Sequence, residues 1–232
     1  TWRNKSRAPP HDRRGSSGNV SVGRCALMKD ILLNIRDGFA SSTPLDLANL
    51  ALGIVGVVLM VRRSLWAFPI GLLAVSVQGV LFFENRFYAD ATVQVFFFAA
   101  LAYGWWHWVR DKGAAPELPV TRQRWRGRAL TLALAGAATV CGALALARWT
   151  PAVMPWRDAF IAAFSVAAQT LQARKRIENW PLWTVVNLVA IASYWQATMA
   201  FTAFLYGIYL VLGLLGWREW WRAMKGATPT RG

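Results

Sequence analysis

Long apolar stretches separated by short charged turns dominate the pattern of this chain. Seven such runs cover approximately residues 44–61, 66–83, 87–109, 129–147, 157–173, 180–197 and 199–217. Each run is close to the roughly 18 to 20 apolar residues that a helix needs to cross the hydrocarbon core of a membrane. The pattern therefore predicts an all-α, polytopic membrane protein with seven transmembrane helices.

The first three runs and the last three correspond to each other at a spacing of 112 residues. The residues that recur are Gly104, Trp105, Trp108 and Arg110, which return as Gly216, Trp217, Trp220 and Arg222. In the middle of the triplet this spacing is predicted to slip from 112 to 114 residues, because Trp66 aligns better with Trp180. The odd linker helix gives both triplets the same orientation, so the sequence predicts a parallel repeat of three plus one plus three helices.

The runs divide the chain into five expected segments. These are a disordered or spurious leader (1–43), a first three-helix bundle (44–109), a basic loop with the linker helix (110–147), a second three-helix bundle (148–222) and a cytoplasmic tail (223–232). The leader is expected because residues 1–27 are polar and basic and the first methionine is Met28. Residues 28–40 fit either a short amphipathic helix on the membrane surface or an unstructured leader.

Charge orients the predicted bundle. The net charge of +15 would suit a nucleic-acid partner, but Lys and Arg form short clusters between the apolar runs. That distribution is typical of cytoplasmic loops, so a lipid bilayer is expected as the partner and nucleic acid is not. Most of the Lys and Arg residues from Met28 onward lie on the side of the C-terminal tail. The C-terminus is therefore predicted to be cytoplasmic.

The sequence carries little that suggests catalysis or a bound cofactor. Cys25 and Cys141 lie in a polar tail and an apolar run, and no Cys, His and carboxylate cluster has metal-ligand spacing. A retinal protein would need a lysine in mid-span. A lipid-modifying enzyme would need a nucleophile with its base, and the only candidates, His107 and Asp90, are far apart on one helix. No metal, no cofactor and no enzymatic activity are expected.

Polar side chains inside the apolar runs predict where a solute would bind. An amide in the bilayer core usually faces the protein interior or a watery cavity. Trp183 and Asn187 are four residues apart, so they share one helix face, and an aromatic ring beside an amide suits a planar heterocycle. The expected substrate-binding residues are Gln78, Gln94, Gln169, Trp183, Asn187 and Tyr206. The alternative is that these amides only bond neighbouring helices.

The recurring tryptophans have two interpretations. Trp105, Trp108, Trp217 and Trp220 lie near predicted cytoplasmic helix ends. Tryptophan belts at membrane interfaces are common, and this is the first interpretation. The second is a gate or cavity wall, which the repetition favours.

Several separated motifs occur in a distinctive order along the chain. They are the segment NRFYAD at 85–90, YGWWHW at 103–108, the run from Asp158 to Gln172 and the segment RKRIENWPLW at 174–183. Together they resemble the PnuC family. The resemblance implies a bacterial inner-membrane vitamin transporter with a bundle similar to SWEET sugar transporters. It implies transport of nicotinamide riboside by facilitated diffusion with alternating access, with trapping by a cytoplasmic kinase. Homotrimers are also implied.

Relatives within that family carry thiamine or other vitamin precursors, which is the alternative substrate class that the resemblance implies. This chain has Asn187 where many members of the family are expected to carry an acid. A planar cation such as nicotinamide riboside could still bind, because a cation over a Trp or Tyr face gains about 0.5–2 kcal/mol without a buried counter-charge.

Overall fold

The computed structural model describes residues 29, 31–84, 86, 88–151 and 153–226. The leader expected at 1–27 and the end of the expected tail lie outside the described residues. The helices are α1 (31–41), α2 (Pro44–Val61), α3 (Ala67–Glu84), α4 (Tyr88–Asp111), α5 (Trp125–Trp149), α6 (Pro155–Ala173), α7 (Asn179–Gln196) and α8 (Ala200–Gly226). Within these ranges the chain forms no strand, only one isolated bridge between Thr121 and Arg176.

Helices α2 to α8 coincide with the seven apolar runs. By length and composition, α2, α3, α5 and α8 are clear candidates to cross a membrane. Their starts follow local chemistry: Thr43 and Asp46 form a capping box before α2, and proline opens both α2 and α6. The all-helical fold and the apolar helices fit a polytopic membrane protein.

Helix α1 lies against the turn between α7 and α8. The Phe39 ring meets the Phe201 ring edge-on at 4.8 Å, and the Phe201 backbone N–H donates to Asn34 Oδ1. A Cβ on Gly38 would collide with the Phe201 side chain, so glycine permits this close approach. Residues 31–41 are therefore helical, and contacts with Thr198 and Phe201 hold this helix.

The two triplets contact each other through equivalent helices. Within each triplet consecutive helices pack together, and α5 packs on α6. Between the triplets, α4 contacts α6 and α2 contacts α8. Because α2 and α4 are equivalent to α6 and α8, these two contacts become each other when the triplets are exchanged. The two triplets are therefore related as in a two-fold arrangement.

The backbone repeats at the same spacing through the first turn of each triplet. Arg63 and Lys175 have φ of 57° and 50°, in the left-handed region. In both copies the backbone N–H of the following residue donates to a carbonyl in the last turn of the preceding helix. These bonds are Ser64 N–H to Leu59 O and Arg176 N–H to Leu171 O. The predicted slip was therefore wrong: the 112-residue spacing continues, and Phe68 is the structural counterpart of Trp180. Trp66 instead lies exposed.

The second turns match as well. Arg86 and Thr198, also 112 residues apart, have φ of 63° and 58°. Among the described residues, the four non-glycine positions with positive φ thus form two equivalent pairs. Left-handed backbone is costly for residues with a Cβ, so its recurrence at both turns indicates that the fold requires this geometry.

The recurring glycine and the second recurring tryptophan build the core. A Cβ on Gly104 would lie 2.8 Å from the Phe68 ring, and a Cβ on Gly216 would collide with the Trp180 ring. Phe68 packs edge-on against Trp108 at 4.9 Å, and Trp180 packs edge-on against Trp220 at 5.4 Å. Each glycine therefore admits the aromatic ring that supports the tryptophan one turn further along its helix.

Trp108 and Trp220 join the two triplets. Their rings are 5.8 Å apart and are 2% and 0% exposed. The Trp108 indole N–H donates to Ala173 O at 3.0 Å, at the end of α6. The Trp220 indole N–H donates to Met60 O at 3.1 Å, at the end of α2. Each indole thus satisfies a terminal carbonyl of the other triplet's first helix.

Candidate functional site

Three polar side chains are buried along the interior of α6 and α7. Gln169 and Asn187 are 7% and 5% exposed, and Ser165 is similarly buried. None of these three makes a side-chain hydrogen bond to another described residue. Buried amides are normally paired, so amides that have no partner within the protein are suited to receive a polar ligand.

The Trp183 ring is fixed beside these amides. Its indole N–H donates to Gln172 Oε1 at 2.9 Å, which ties α7 to α6. Trp183 and Asn187 lie one turn apart on α7, so the ring and the amide share a face as predicted. The hydrogen bond leaves the indole faces as the surfaces that a flat ligand could stack on.

A cluster of tyrosines continues this face toward α8. Tyr194, seven residues after Asn187, stacks on Tyr206 at 5.4 Å, and Tyr209 meets Tyr206 edge-on at 6.5 Å. The Arg157 guanidinium lies 5.8 Å from the centre of the Tyr194 ring. Its charge is balanced by Asp158, 2.8 Å away. The cluster therefore offers aromatic surface without a net local charge.

The first triplet contributes the other two predicted residues. Asn49 on α2 donates its side-chain N–H to Gln78 Oε1 on α3, while Asn49 Oδ1 is enclosed and has no hydrogen-bond partner among the described residues. Gln94 on α4 packs beside Gly79 of α3. Gln78 and Gln94 thus both face the space between neighbouring helices, and Gln78 is held by an amide pair.

The α2–α8 contact connects these groups. A Cβ on Gly53 would lie 2.7 Å from the Tyr209 hydroxyl oxygen, so glycine makes room for that hydroxyl. Asn49 lies one helical turn before Gly53 and shares its face. A continuous band of amides and aromatic rings therefore runs from Gln169 and Trp183, through the tyrosines, to Asn49 and Gln78. We call it the amide–aromatic band.

Comparison with known proteins identifies the kind of molecule that carries this band. A sequence profile of the nicotinamide mononucleotide transporter family matches residues 43–222, which include both triplets and the linker helix. The chain belongs to the nicotinamide mononucleotide transporter family. It is accordingly a membrane transporter and not an enzyme, and the resemblance to PnuC proteins is confirmed.

Individual members of the family differ in what their names specify. The riboflavin/roseoflavin transporter RibM of Streptomyces davaonensis is 34% identical over 193 residues, covering 79% of this chain and 88% of that protein. The nicotinamide riboside transporter PnuC of Escherichia coli K12 is 26% identical over 178 residues, covering 65% and 73%. The crystal structure of the vitamin B3 transporter PnuC superposes with a TM-score of 0.67 at 19% identity, over 87% of this chain and 91% of that one. The fold is shared.

Three residues of the transporter's band were not among the predicted binding residues. They are Asn49, Gln172 and Tyr194, which hold Gln78, Trp183 and Tyr206 respectively. Gln172 lies three residues after Gln169, and Tyr194 lies seven after Asn187. Helical spacing from a predicted residue would have found both. Asn49 had no such signal, because its partner lies on another helix.

The four predicted gate residues of the transporter separate into two kinds. Trp108 and Trp220 are buried and join the triplets, as described above. Trp105 and Trp217 are 40% and 38% exposed, on the outer surface of α4 and α8. That location fits the alternative of a tryptophan belt at the membrane interface.

The loop between α4 and α5 closes the end of the transporter that holds the tryptophan core. Glu117 lies 3.1 Å from Arg63 Nε and 3.2 Å from Lys175 Nζ, so one carboxylate joins the equivalent turns of both triplets. We call this arrangement the Glu117 bridge. Two backbone hydrogen bonds between Thr121 and residues 175 and 177 pin the same loop.

Lys175 is the buried partner of that bridge. Its ammonium lies 4.2 Å above the Trp108 ring, and its side chain is almost fully enclosed. Burial lowers the pKa of Lys175, while the neighbouring Glu117 carboxylate opposes the shift. The bridge, the ring and the loop together seal this end around Trp108 and Trp220.

Proposed function

We propose that this transporter carries a planar vitamin with a hydroxylated side chain across the bacterial inner membrane, and that riboflavin is its preferred substrate. The observation that carries the proposal is the neutrality of the amide–aromatic band. Its amides and aromatic rings carry no charge, and the ion pair described beside them, Arg157 with Asp158, is internally balanced. Riboflavin is uncharged, stacks through a flat ring and offers an edge and a ribityl chain for hydrogen bonds. The 34% identity to RibM supports the same substrate.

Nicotinamide riboside is the second candidate. The similarity to the E. coli nicotinamide riboside transporter PnuC favours it. Its pyridinium ring could lie on Trp183 or on the stacked tyrosines by cation–π attraction. A cation in an uncharged site gains less than one facing a carboxylate, because its lost hydration has no ionic compensation. Thiamine, another planar cation, meets the same cost.

The proposed mechanism is facilitated diffusion by alternating access. The seven long helices would cross the membrane as two parallel triplets joined by α5, with the C-terminus in the cytoplasm. The equivalent turns and the reciprocal Trp108 and Trp220 bonds support two equivalent halves. Rocking of one such half against the other is the proposed motion. Trapping by a cytoplasmic kinase and assembly as a homotrimer complete the proposal by resemblance to the family.

Uptake into proteoliposomes tests the substrate. Purified protein would be reconstituted and given labelled riboflavin, nicotinamide riboside and thiamine separately, with protein-free liposomes as the blank. Saturable riboflavin uptake, inhibited weakly by the two cations, is the expected result. Saturable uptake of nicotinamide riboside alone would replace the first candidate by the second. No saturable uptake of any of the three would reject the function.

A further inference from the structure

A groove at the sealed end of the bundle lies apart from the amide–aromatic band. It encloses about 290 Å³, and its floor is formed by Leu171, Ile177 and Leu182. None of the six predicted substrate residues lines it. It exists because α5 packs on α6 and leaves a gap toward α8. Trp217 and Trp221 of α8 form the far wall, and a second, more open hollow adjoins them along α8. We call the first hollow the α5–α8 groove.

Positive charge surrounds the mouth of the α5–α8 groove. The Arg122 guanidinium lies 5.2 Å over the Trp221 ring, and the Lys225 ammonium lies 5.3 Å from the same ring. Arg218 lines the adjoining hollow. In the part of the chain that the structure describes, none of these three cations forms an ion pair. Arg128, by contrast, is neutralised by Glu178 at 2.7 Å.

The start of α5 adds to the positive potential at the mouth of the groove. The N-cap residue of α5, Arg124, makes no side-chain capping hydrogen bond, and the first turn carries no acid, although acids are favoured at that position. Arg128 and Thr131, from the first two turns, line the groove. A helix N-terminus facing a basic rim favours an anionic group.

We propose that the α5–α8 groove binds one anionic phospholipid, with its phosphate at Arg122 and the uncapped start of α5, and an acyl chain along Leu171 and Leu182. Charge complementarity selects the anion, and the buried leucine floor selects a hydrocarbon chain. The indoles of Trp217 and Trp221 lie between these two parts, where tryptophans are favoured at the lipid headgroup level. Basic residues at a membrane interface are a known means of recognising anionic lipids.

Among the described residues, this groove is lined by α5, the loop before it and the second triplet. Trp105 is the counterpart of Trp217, but the helix that precedes α2 packs at the opposite end of the bundle, on the α7–α8 turn. Arg122 belongs to the loop that joins the two triplets. A lipid bound there would contact the loop before α5 and the helices α5, α6, α7 and α8, because the groove is lined by residues of these segments.

Native mass spectrometry of the purified, full-length protein tests the proposal. The protein would be given phosphatidylglycerol or phosphatidylcholine with identical acyl chains. The wild type should retain one phosphatidylglycerol per chain in preference to phosphatidylcholine. Arg122→Gln should weaken that retention about fivefold, as expected for one interfacial charge. Trp221→Ala should weaken it further, and Arg122→Lys should retain binding.

The chain offers a matched control. Arg126 lies 5.5 Å over the exposed Trp125 ring, an Arg–Trp pair at the same end that does not line the groove. Arg126→Gln and Trp125→Ala should leave lipid retention at the wild-type level. Size-exclusion profiles would check that each variant is folded, and an Arg122→Lys protein that binds while Arg122→Gln does not excludes misfolding as the cause.

Four outcomes would overturn the proposal. The first is equal retention of phosphatidylcholine and phosphatidylglycerol by the wild type, and the second is an equal loss of phosphatidylglycerol in Arg122→Gln and Arg126→Gln. The third is displacement of the lipid by riboflavin or nicotinamide riboside. The fourth is that the groove variants change the number of protein chains that associate but not the amount of lipid retained. The third would make the groove part of the substrate route. The fourth would make its occupant a second copy of the chain.

Discussion

Asn187 is the residue on which substrate charge is expected to depend most. It is buried, has no hydrogen-bond partner among the described residues and shares a helix face with Trp183. A carboxylate at this position would supply the counter-charge that a pyridinium ring lacks in the neutral band. Asn187→Asp should therefore raise the ratio of nicotinamide riboside to riboflavin uptake about tenfold, equivalent to ~1.4 kcal/mol. Competition assays in proteoliposomes would measure the ratio.

The control for this change is Asn187→Leu, which removes the amide without adding charge. It should lower uptake of both vitamins and leave their ratio near that of the wild type. If Asn187→Asp transports well with an unchanged ratio, Asn187 does not face the substrate and serves only helix packing.

Gly216 is the residue where the packing of the core is tightest. A methyl group there would collide with the rim of the Trp180 ring, which is buried against Trp220 and cannot move aside freely. Gly216→Ala should lower the free energy of unfolding by about 1–3 kcal/mol, the usual cost of overpacking. Thermal unfolding of the detergent-purified protein would detect the loss.

Gly213 provides the matched control on the same helix. It is also buried, but a Cβ there would meet no atom within 4 Å. Gly213→Ala should be neutral or stabilise the helix by up to about 1 kcal/mol, because alanine has the higher helix propensity. Similar losses in both variants would show that glycine acts through helix flexibility and not through the Trp180 contact.

At the scale of residues, the sequence indicated which side chains are candidates for the interior better than it indicated which side chains contact each other. Of the polar side chains in the apolar helices, Ser165, Gln169 and Asn187 are buried, whereas Ser76 and Thr92 are exposed. The pairing of Asn49 with Gln78 was not predictable, since it depends on how α2 lies against α3. The buried role of Trp108 and Trp220 was missed for the same reason: a tryptophan near a helix end looks identical whether it faces lipid or a second helix.

At the scale of elements, hydrophobic length was sufficient to predict seven helices with bounds close to those observed. The turns were harder, because their register is set by backbone hydrogen bonds. Matching Trp66 to Trp180 by residue type gave the wrong register. The equivalent bonds at Ser64 and Arg176 show instead that Phe68 occupies the position equivalent to Trp180. Composition does not contain that information.

Thr198 tests the importance of turn geometry. It adopts φ of 58°, which is unfavourable for a β-branched residue. Thr198→Gly should raise the free energy of unfolding by about 1 kcal/mol, because glycine adopts this conformation without strain. Its neighbour Ala197 has φ of −80°, so Ala197→Gly should instead lower stability. Chemical or thermal unfolding would compare the two, and destabilisation by both would contradict a strained turn.

At the scale of the whole molecule, the Glu117 bridge links stability to pH. The folded pKa of Lys175 is lowered from 10.5, mainly by burial. Between the lowered value and 10.5 the unfolded chain keeps a proton that the folded chain has released. Unfolding therefore takes up a proton, and the free energy of unfolding should rise with pH across this window. Unfolding measured over a pH series should show this rise relative to Lys175→Met, which lacks the group.

Glu117→Gln sharpens that test. Without the carboxylate, the two contributions that hold the pKa of Lys175 up disappear, so its folded pKa should fall further. The rise in stability should then begin at a lower pH than in the wild type. The double variant Glu117→Gln and Lys175→Met should show no such rise. An identical pH profile in Glu117→Gln and wild type would mean that the bridge does not act on Lys175.

The reciprocal bonds of Trp108 and Trp220 bear on how the protein arose. Each tryptophan takes its acceptor from the other triplet, so one triplet alone lacks the partner that closes its end. Two identical triplets would supply each other, as subunits of a symmetric dimer do. A duplicated gene, fused through α5, turns that dimer into one polypeptide and ends the requirement that both copies be identical. The two triplets are indeed not identical: Phe68 stands at the position equivalent to Trp180, and Arg63 at the position equivalent to the buried Lys175.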